Sequence, residues 1–233
     1  KKVGENDLPE IFHAWGNKAS LHGEFDTKAG QRGQWLNVDL GQHDAWTPRR
    51  FLFDASAHKR SKKSNAQWVK LGNLADPAGK RKNQAFTPGN KYISVLHISG
   101  EGVLDIEAVN NYKPITPCRP VYPGEVIISR LNPRIPRVLV VPDLGCPTFC
   151  STEFEILIPH KSVNPYALSF LLFTSDVQSQ IQALTAGTSA SHSRVKPKKM
   201  FELHVPWDET KAFQEKMKAA HGELTNEIEK KNK

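Results

Sequence analysis

A-G-T-S-A-S-H-S-R-V-K-P-K-K-M-F-E-L-H-V-P, the stretch Ala186–Pro206, combines small hydroxyl side chains with closely spaced cations. No acidic residue lies between Asp176 and Glu202, so nothing local neutralises this charge. Hydroxyl, lysine and arginine side chains are the groups that contact DNA phosphates and sugars. The stretch therefore predicts a loop that contacts a phosphate backbone, followed by a strand; a solvated, flexible basic loop is the alternative. The candidate DNA contacts are Thr188, Ser189, Ser191, Arg194, Lys196, Lys198 and Lys199.

Two helices are predicted directly before this stretch. Asn164 can cap the first, with Pro165 at its first position, where a missing N–H costs no hydrogen bond. The segment Ser175–Gln178 has the spacing of a capping box for the second helix. This second helix is predicted to end near Leu184, with Gly187 as its left-handed C′ residue. One face of a later strand is predicted to consist of Phe201, Leu203 and Val205.

A strand–loop–strand unit supplies a second group of candidate DNA contacts. The run E-V-I-I-S-R at Glu125–Arg130 predicts a buried strand, because it is mostly β-branched and too short for a core helix. A second strand is predicted at Val138–Val141. The loop between them carries three guanidinium groups beside two prolines, and guanidinium is the preferred group for bidentate contact with phosphate or guanine. The candidates in this unit are Ser129, Arg130, Asn132, Arg134 and Arg137.

The arginines of this loop have an alternative role as partners of carboxylates in the same chain. The carboxylates considered for this role are Asp143, Glu153 and Glu155. A turn with the sequence D-P-A-G-K-R-K-N adds three consecutive cations that are predicted to line the same basic cleft. These cations are Lys80, Arg81 and Lys82.

The last segment predicts a long helix with a narrow apolar stripe. Asp208 is a suitable N-cap, and the apolar positions after it are spaced by 4, 3, 4 and 4 residues, as in a coiled coil. A single helix of this length is marginal in water, so it needs a surface to pack on. Packing on its own domain and pairing with an external helix are the two alternatives, and the narrow, terminal stripe favours the external partner. The stripe consists of Phe213, Met217, Ala220, Leu224 and Ile228.

The charge of the chain is concentrated in its middle. The 233 residues carry a formal net charge of +8, which is expected of a protein that binds a polyanion. Residues 65–206 contain 15 Lys and Arg against 10 Asp and Glu, a net charge of +5. The net charge is +3 for residues 1–64 and zero for residues 207–233. With the basic run H-K-R-S-K-K-S-N as a linker, these three segments are the predicted N-terminal extension, DNA recognition domain and C-terminal spacer or dimerisation helix.

Motifs of the common catalytic classes are absent from the sequence. It contains no G-x-x-x-x-G-K-[ST], no G-x-S-x-G, no H-E-x-x-H and no Gly-rich dinucleotide loop, and its nine histidines lack metal-ligand spacing. The N-P-Y at residues 164–166 lacks the second proline of the amino-methyltransferase motif. The acidic residues at 143–155 lack the lysine of a nuclease centre. We therefore expect no catalytic residue, no metal and no cofactor in this chain.

Cysteine usage and hydropathy indicate the compartment. Cys118, Cys146 and Cys150 form neither a C-x-x-C pair nor a disulfide framework, which favours free thiols in a reducing cytoplasm. No apolar run approaches the ~18 residues of a membrane span, and no secretory signal is present. A cytoplasmic protein without a membrane partner is expected.

Further strand predictions complete a mixed pattern. Alternating or apolar residues predict strands at Trp35–Leu40, Tyr92–Ile98 and Phe149–Ile158, whereas the polar residues 21–33 predict a loop. Together with the helical pair, these strands predict an α/β fold of the mixed α+β kind. It is a compact domain with mixed or antiparallel strands, followed by the coiled-coil-type helix.

The order of six short motifs resembles a known family. The motifs are W-V-K-L-G-N-L, P-G-E-V-I-I-S-R, C-S-T-E-F-E-I-L, N-P-Y-A-L-S-F-L-L, A-G-T-S-A-S-H-S-R-V, and F-E-L-H-V-P with a heptad helix after it. Together they are similar to a target recognition domain of the specificity (S) subunit of type I restriction–modification systems, or of a related fused methyltransferase–specificity enzyme. The resemblance covers roughly residues 66–233.

This resemblance implies an α/β domain that recognises one half of a bipartite double-stranded DNA site. It also implies that the following helix sets the spacing to a second domain and docks a methyltransferase (M) subunit or domain. The segment Gly187–Arg194 corresponds to the DNA-facing loop of the family, and Ile128–Arg134 to its strand-end contact region. A restriction subunit and a second copy of the chain, paired through the helix, are further candidate partners.

The start of the chain carries a second resemblance. E-N-D-L-P-E-I resembles the C-terminal end of N6-adenine methyltransferase subunits. A typical S subunit has two recognition domains, whereas one is found in this sequence, without an internal repeat. We therefore expect a half-subunit or a fragment of a fused enzyme. Two alternatives stay open: a restriction–methyltransferase fragment with its own chemistry, and a basic scaffold that binds a protein without DNA specificity.

Overall fold

Two compact units make up the chain, Lys1–Ser64 and Asn65–Lys233, and each is described by itself. The E-N-D-L-P-E-I motif and the basic linker lie outside the residues whose placement can be described. The computed structural model describes residues 22–26, 32–36, 67–79, 81–186 and 194–231.

A β-hairpin is the described part of the first unit. Strand β1, His22–Asp26, pairs antiparallel with β2, Arg32–Leu36. The prediction of a loop at residues 21–33 is therefore wrong, and the strand predicted at Trp35–Leu40 begins earlier. Both strands carry mostly polar or small residues, so no apolar alternation indicates them; cross-strand pairing, which a sequence pattern does not contain, defines them.

The second unit contains the other described elements, which are short strands and five α-helices. Its strands are β3 (Gln67–Lys70), β4 (Ala75–Pro77), β5 (Lys91–Ile93), β6 (Cys118–Val121), β7 (Val126–Ser129), β8 (Val138–Val140), β9 (Thr148–Ser151), β10 (Phe154–Pro159), β11 (Thr185–Ala186), β12 (Arg194–Val195) and β13 (His204–Trp207). Its helices are α1 (Ile106–Asn111), α2 (Pro165–Leu172), α3 (Ser175–Ala183), α4 (Pro197–Met200) and α5 (Lys211–Lys231).

Two sheets form the centre of this unit. The larger sheet is antiparallel and has the strand order β4–β10–β7–β8. The smaller sheet has the order β5–β9–β6, in which β5 is parallel and β6 antiparallel to β9. Antiparallel pairs β3–β13 and β11–β12 accompany them. The predicted mixed α/β class, with mixed and antiparallel strands, is confirmed.

Strand β7 lies at the centre of the core because both of its faces are buried. Val126 and Ile128 belong to one apolar cluster, to which α2 and α3 contribute residues such as Leu168 and Ile181. Ile127 belongs to a second cluster, formed with residues of the smaller sheet. A strand buried on both faces needs a continuous apolar run instead of alternation, which explains the sequence V-I-I-S.

The strand predicted at Phe149–Ile158 is two strands in different sheets. β9 belongs to the smaller sheet and β10 to the larger one, and a turn at Thr152–Glu153 separates them. Within the turn, Glu153 N–H donates a hydrogen bond to Ser151 Oγ at 3.2 Å. The prediction missed the break because apolar and aromatic residues flank it on both sides.

The strand predicted at Tyr92–Ile98 also ends early. β5 is followed by a 3-10 helix at Val95–His97. Ser94 caps this helix, because its Oγ accepts a hydrogen bond from Leu96 N–H and its own N–H donates to His97 Nδ1. Local side-chain hydrogen bonds therefore override the apolar pattern of this segment.

Helix α2 begins at the predicted cap. Asn164 Oδ1 accepts hydrogen bonds from the N–H groups of Tyr166 and Ala167, at 3.0 and 3.3 Å. Pro165 is the first residue of the helix, as predicted. The prediction is confirmed. It could be made from the sequence because a cap and its proline act over only four residues.

Helix α3 ends at Ala183 with Leu184 as its C-cap, which confirms the predicted end, but the capping residues differ from the prediction at both ends. Its N-cap is Thr174, which makes no side-chain capping bond, so the predicted capping box is wrong. Gln178, the expected partner in that box, is buried and donates to a backbone carbonyl at the end of α2. At the other end Leu184 is the C-cap and Thr185 begins β11, so Gly187 is too far along the chain to be the C′ residue.

Strand β13 is shorter than the predicted apolar face. Pro197 begins the short helix α4, and Phe201 is the C-cap residue of that helix. Of the three predicted strand residues Phe201, Leu203 and Val205, only Val205 lies in β13. Proline at the first helical position is compatible with a helical turn, which the strand prediction did not consider.

We expect Gly102→Ala to destabilise the second unit severely. Gly102 has φ +82°, and a Cβ atom there would lie 2.6 Å from both Phe173 Cζ and Val138 O. Gly145 is the matched control, because it has φ +71° with open space around the same position. Gly145→Ala should cost about 1 kcal/mol for the left-handed backbone, and Gly102→Ala at least about 2 kcal/mol more for the clash. Urea unfolding of both variants measures this difference, and equal losses would contradict the packing described.

Candidate nucleic-acid interface

Two segments predicted to contact DNA lie side by side. Val195 N–H donates a hydrogen bond to Arg130 O at 3.1 Å, and Leu131 forms a β-bridge with Arg194. Strand β12, which contains Arg194, also pairs with β11. The loop at residues 130–137 and the end of the hydroxyl-rich stretch therefore form one continuous surface.

Exposed cations line this surface. Arg134, Lys196 and Lys198 are exposed, and the Arg194 side chain is 45% exposed. These four residues are called the basic edge below. The predicted contacts that fall outside the described residues are Lys80, Thr188, Ser189 and Ser191.

Short-range hydrogen bonds hold the loop between β7 and β8. Ser129 is buried, and its Oγ accepts from Leu131 N–H and donates to Leu131 O. Asn132 has a left-handed backbone with φ 47°, which asparagine adopts more readily than most residues. Its side-chain oxygen accepts a hydrogen bond from Arg134 Nε at 3.4 Å. Ser129 and Asn132, both predicted as DNA contacts, thus shape the loop that presents Arg134.

Arg130 and Arg137 support the same loop from the inside. Arg130 Nη2 donates to Thr152 O at 2.6 Å, and its Nε lies 3.7 Å from a Glu155 carboxylate oxygen. Arg137 Nε donates to Ile98 O at 3.1 Å, and burial lowers the pKa of Arg137. Burial likewise raises the pKa of Glu155, although Arg130 opposes this shift.

Arg194 forms a bidentate ion pair with Glu153. Its Nε donates to Oε2 at 3.0 Å and its Nη2 to Oε1 at 2.9 Å. These hydrogen bonds hold the pKa of Glu153 below its usual range and raise the pKa of Arg194. Of the loop arginines for which pairing with a carboxylate was the alternative, Arg130 lies beside Glu155. Glu153 pairs instead with Arg194, which lies outside that loop. Asp143 accepts instead from Gly145 N–H at 2.9 Å.

Arg81 has a structural partner far from the basic edge. Its Nη1 and Nη2 donate to the two carboxylate oxygens of Glu125, at 2.7 and 2.5 Å. Glu125 directly precedes β7 and Arg130 directly follows it, so about 16 Å of extended chain separates the two ends. Arg81 therefore does not join the basic edge. Of the adjacent cations, Lys82 is exposed and Lys80 lies outside the described residues.

Lys199 differs from the other two lysines of α4 and its N-cap. Its Nζ lies 3.1 Å from Glu202 Oε2 in an ion pair at the end of the helix. Lys196 and Lys198 remain the exposed cations of this segment. Lys199 is accordingly not counted in the basic edge.

Within the described ranges, no group of three or more His, Cys, Asp or Glu side chains is placed to hold a metal ion. The three cysteines are free thiols. Burial raises the pKa of Cys118, and it raises that of Cys150 to about 12, so both stay protonated at neutral pH. Among the helices of the described chain, none has the length and apolar character needed to cross a membrane.

Thr210, and not Asp208, caps the start of α5. Asp208 Oδ1 accepts a hydrogen bond from Thr210 N–H at 2.8 Å. Thr210 Oγ1 in turn accepts from Phe213 N–H at 3.3 Å, which is the pattern of an N-cap residue. The acidic side chain therefore forms a local turn directly before the helix.

The first half of α5 packs on its own domain. Gln214 is buried, and its Oε1 accepts from Asn164 N–H at 2.8 Å while its Nε2 donates to Ser162 O at 3.0 Å. Phe213 and Met217 pack against the larger apolar cluster. These two residues of the stripe therefore pack on their own domain, which is the first of the two alternatives left open by the sequence.

The second half of α5 carries the rest of the stripe. The His221 ring packs edge-on against Tyr166, with 5.5 Å between the ring centroids. Ala220, directly before His221, is partly buried. After His221, Leu224 is exposed and Ile228 is partly buried. An external partner stays a prediction for this second half.

Sequence reasoning missed the role of Arg119. Its Nη2 donates to the carbonyl oxygens of Thr152 and Phe154, so Arg119 and Arg130 together hold the turn between β9 and β10. Glu153, at the tip of that turn, was considered only as one of several carboxylates. An arginine within an extended apolar segment, C-R-P-V, is the sequence signal for such a buried role.

We expect Arg81→Met to lose about 3 kcal/mol of unfolding free energy, because it leaves the buried carboxylate of Glu125 without its partner. The matched control is Lys82→Met, which removes an exposed cation from the next position and should change stability by less than about 0.5 kcal/mol. Urea unfolding at neutral pH measures both. Similar small effects for the two variants would contradict the structural role of Arg81.

Comparisons with known proteins identify the fold. A chain from a structure of a type I restriction–modification (R-M) system, described for its complex assembly and conformational transition, has a TM-score of 0.52 and 19% sequence identity, and the match covers 72% of this chain and 44% of that chain. The HsdS subunit from Thermoanaerobacter tengcongensis has a TM-score of 0.51 and 17% identity, with 70% and 44% covered. No family model and no curated protein matches the sequence.

The matches therefore span less than half the length of either solved chain. With fewer than one residue in five identical, the similarity concerns the fold. The resemblance indicated by the six sequence motifs is confirmed at this level: the chain has the α/β fold found in HsdS specificity subunits of type I R-M systems.

Proposed function

We propose that residues 65–206 form a sequence-specific recognition module for double-stranded DNA in a restriction–modification system, and that this module recognises one half of a target site. The observation that carries the proposal is the junction of two separately predicted DNA-contacting segments, through the hydrogen bond from Val195 to Arg130. Segments 65 residues apart in sequence thus contribute exposed cations to one surface. The shared fold with an HsdS subunit is independent support.

The residues of the basic edge have different roles in the proposal. Arg134, Lys196 and Lys198 contact phosphates, which positions the duplex without sequence information. Arg194 is the proposed base contact, because bidentate contact with guanine is the commonest specific arginine contact. If about 6 phosphates are neutralised in all, affinity falls by roughly 10³ between 50 and 200 mM salt.

The second half of α5 is the proposed docking site for a methyltransferase subunit or domain. Its exposed apolar residue Leu224, together with Ala220 and Ile228, offers a surface for another helix. A restriction subunit and a second copy of this chain are further candidate partners. In this proposal the chain acts in the cytoplasm, carries no cofactor and performs no chemistry itself.

Two other functions are distinguishable from this one. A fragment of a fused restriction–methyltransferase enzyme with its own chemistry would transfer a methyl group from S-adenosylmethionine to DNA. A basic scaffold would retain DNA without preference for any sequence. A methylation assay tests the first alternative, and sequence selection tests the second.

Selection from a random duplex library at about 150 mM salt, followed by sequencing, is the test of the proposed function. A recognition module enriches a short motif, and a two-part motif indicates in addition that the chain pairs through α5. Retention of DNA without an enriched motif would contradict the proposal in favour of the scaffold.

We expect the triple variant Arg134→Gln, Lys196→Gln, Lys198→Gln to enrich the same motif as the wild type with lower affinity. Each lost phosphate contact should reduce the slope of log K against log salt by about 0.9. The control variant removes three exposed lysines elsewhere: Lys161→Gln, Lys211→Gln, Lys216→Gln. Fluorescence anisotropy with the selected duplex measures both slopes, and an equal reduction in the two variants would remove the basic edge from the interface.

We expect Leu224→Asp combined with Ile228→Asp to abolish docking of the methyltransferase and self-association while the domain stays folded. These positions lie beyond the buried anchor at Gln214, whereas deletion of all of α5 would also remove that anchor. The matched control places aspartate at the exposed positions Glu223 and Glu227. Co-purification and sedimentation velocity measure docking, and wild-type behaviour of the apolar double variant would contradict the proposed surface.

A further inference from the structure

We propose that Glu153 is a specificity-determining residue: it occupies the Nε–Nη2 edge of Arg194 in the DNA-free chain and thereby suppresses binding to DNA that offers only phosphates. The inference rests on the proposed function and deepens it. It assigns to one carboxylate the discrimination between a target site and the many competing non-specific sites.

The geometry of the ion pair is the first support. Arg194 uses Nε and Nη2 for Glu153, with both distances near 3 Å. A guanidinium contacts a phosphate or a guanine through two N–H groups in the same parallel arrangement. The paired edge of Arg194 can therefore serve DNA only after the carboxylate has been displaced.

Backbone hydrogen bonds fix the two partners relative to each other. Arg130 N–H donates to Glu153 O at 2.9 Å, and Val195 N–H donates to Arg130 O at 3.1 Å. The backbone of Arg130 thus connects the turn that carries Glu153 to the strand that carries Arg194. Because both partners are held in place, their pairing costs little additional side-chain ordering.

The charge pattern is the second support. The chain has no acidic residue between Asp176 and Glu202. The fold brings the Glu153 carboxylate to this stretch from the turn between β9 and β10. Arg194 keeps the pKa of Glu153 below its usual range, so this carboxylate is ionised at neutral pH. A fixed negative charge at the basic edge opposes every phosphate that approaches.

A target base pair changes this balance. Guanine presents two acceptors, N7 and O6, that can replace both hydrogen bonds of the carboxylate. A phosphate on non-specific DNA adds a negative charge beside Glu153 instead, without a base contact in return. At the correct site, hydrogen bonds to guanine therefore compensate the free energy needed to displace Glu153. At other sites this free-energy cost is not compensated.

The test compares wild type with Glu153→Gln on a random duplex and on the selected motif. For the random duplex we expect the slope of log K against log salt to steepen by about 0.9, and affinity to rise by up to about eightfold at 0.1 M salt, because one more cation becomes available. Affinity for the selected motif should rise less, so the ratio of motif affinity to random-duplex affinity falls. Glu215→Gln is the control, because it makes the same charge change beside Lys218 on α5.

A second substitution identifies the cause. In an Arg194→Gln background, Glu153→Gln should give a clearly smaller gain in random-duplex affinity than in the wild-type background, because the carboxylate charge is lost but no cation is released. If Glu153→Gln unfolds in urea more readily than the wild type, Glu153→Ala is tested in its place. This substitution also leaves the backbone hydrogen bonds of residue 153 intact.

The outcomes separate the two proposals. If wild type enriches a motif and Glu153→Gln changes neither slope nor ratio, the inference is overturned and the proposed function stands. An equal loss of affinity for both duplexes would make Glu153 a purely structural residue and would also overturn it. If wild type enriches no motif, the proposed function fails, and the inference fails with it.

Discussion

The burial of β7 on both faces is the constraint on which the rest of the second unit depends. Val126 and Ile128 face the cluster covered by the helices, and Ile127 faces the smaller sheet. Polar side chains are excluded between these residues, so the chain can place charged groups only where β7 ends. Glu125 stands at one end with Arg81, and Arg130 stands at the other beside the basic edge. The length of β7 thus separates Arg81 from Arg130, although the sequence predicts both for the same basic cleft.

The turn at Thr152–Glu153 determines which arginines can reach a ligand. Arg119 and Arg130 direct guanidinium groups to its carbonyl oxygens, and both retain a buried Nε without a hydrogen-bond partner within the described structure. Burying a charged group is costly unless it is well paired, so these side chains are committed to the fold. Arg194 reaches the same turn from outside, where its ion pair is half exposed and therefore weak. Three arginines at one turn thus differ in burial and in the groups they contact.

Sequence reasoning succeeded where one arrangement of neighbouring residues is available, and it failed where local hydrogen bonds compete, as at Ser94 and Thr210, or where distant segments pair. The Asn164 cap and the continuous apolar run of β7 could be predicted, because a few neighbouring residues determine them. The hairpin at His22–Asp26 could not, because its two neighbouring strands show no apolar alternation. The break after β9 could not, because β9 pairs with a strand more than 50 residues away. The same limit applies to the site. Arg194 meets a carboxylate 41 positions away, and no periodicity indicates which arginine will find such a partner and which will stay free.

Helix α5 is held on its own domain by the hydrogen bonds of Gln214 and by the packing of Phe213 and Met217. Most of the stability of a helix in a protein comes from packing of its apolar face, so the packed first half of this 21-residue helix stabilises the second half, which presents the rest of the apolar stripe. Gln214 fixes the start of α5 to the chain just before α2, and α2 packs on the same cluster as β7. The direction of the helix is therefore set by the core that positions Arg130. A protein bound at Leu224 and Ile228 would receive a defined orientation relative to the basic edge, with no flexible linker between them.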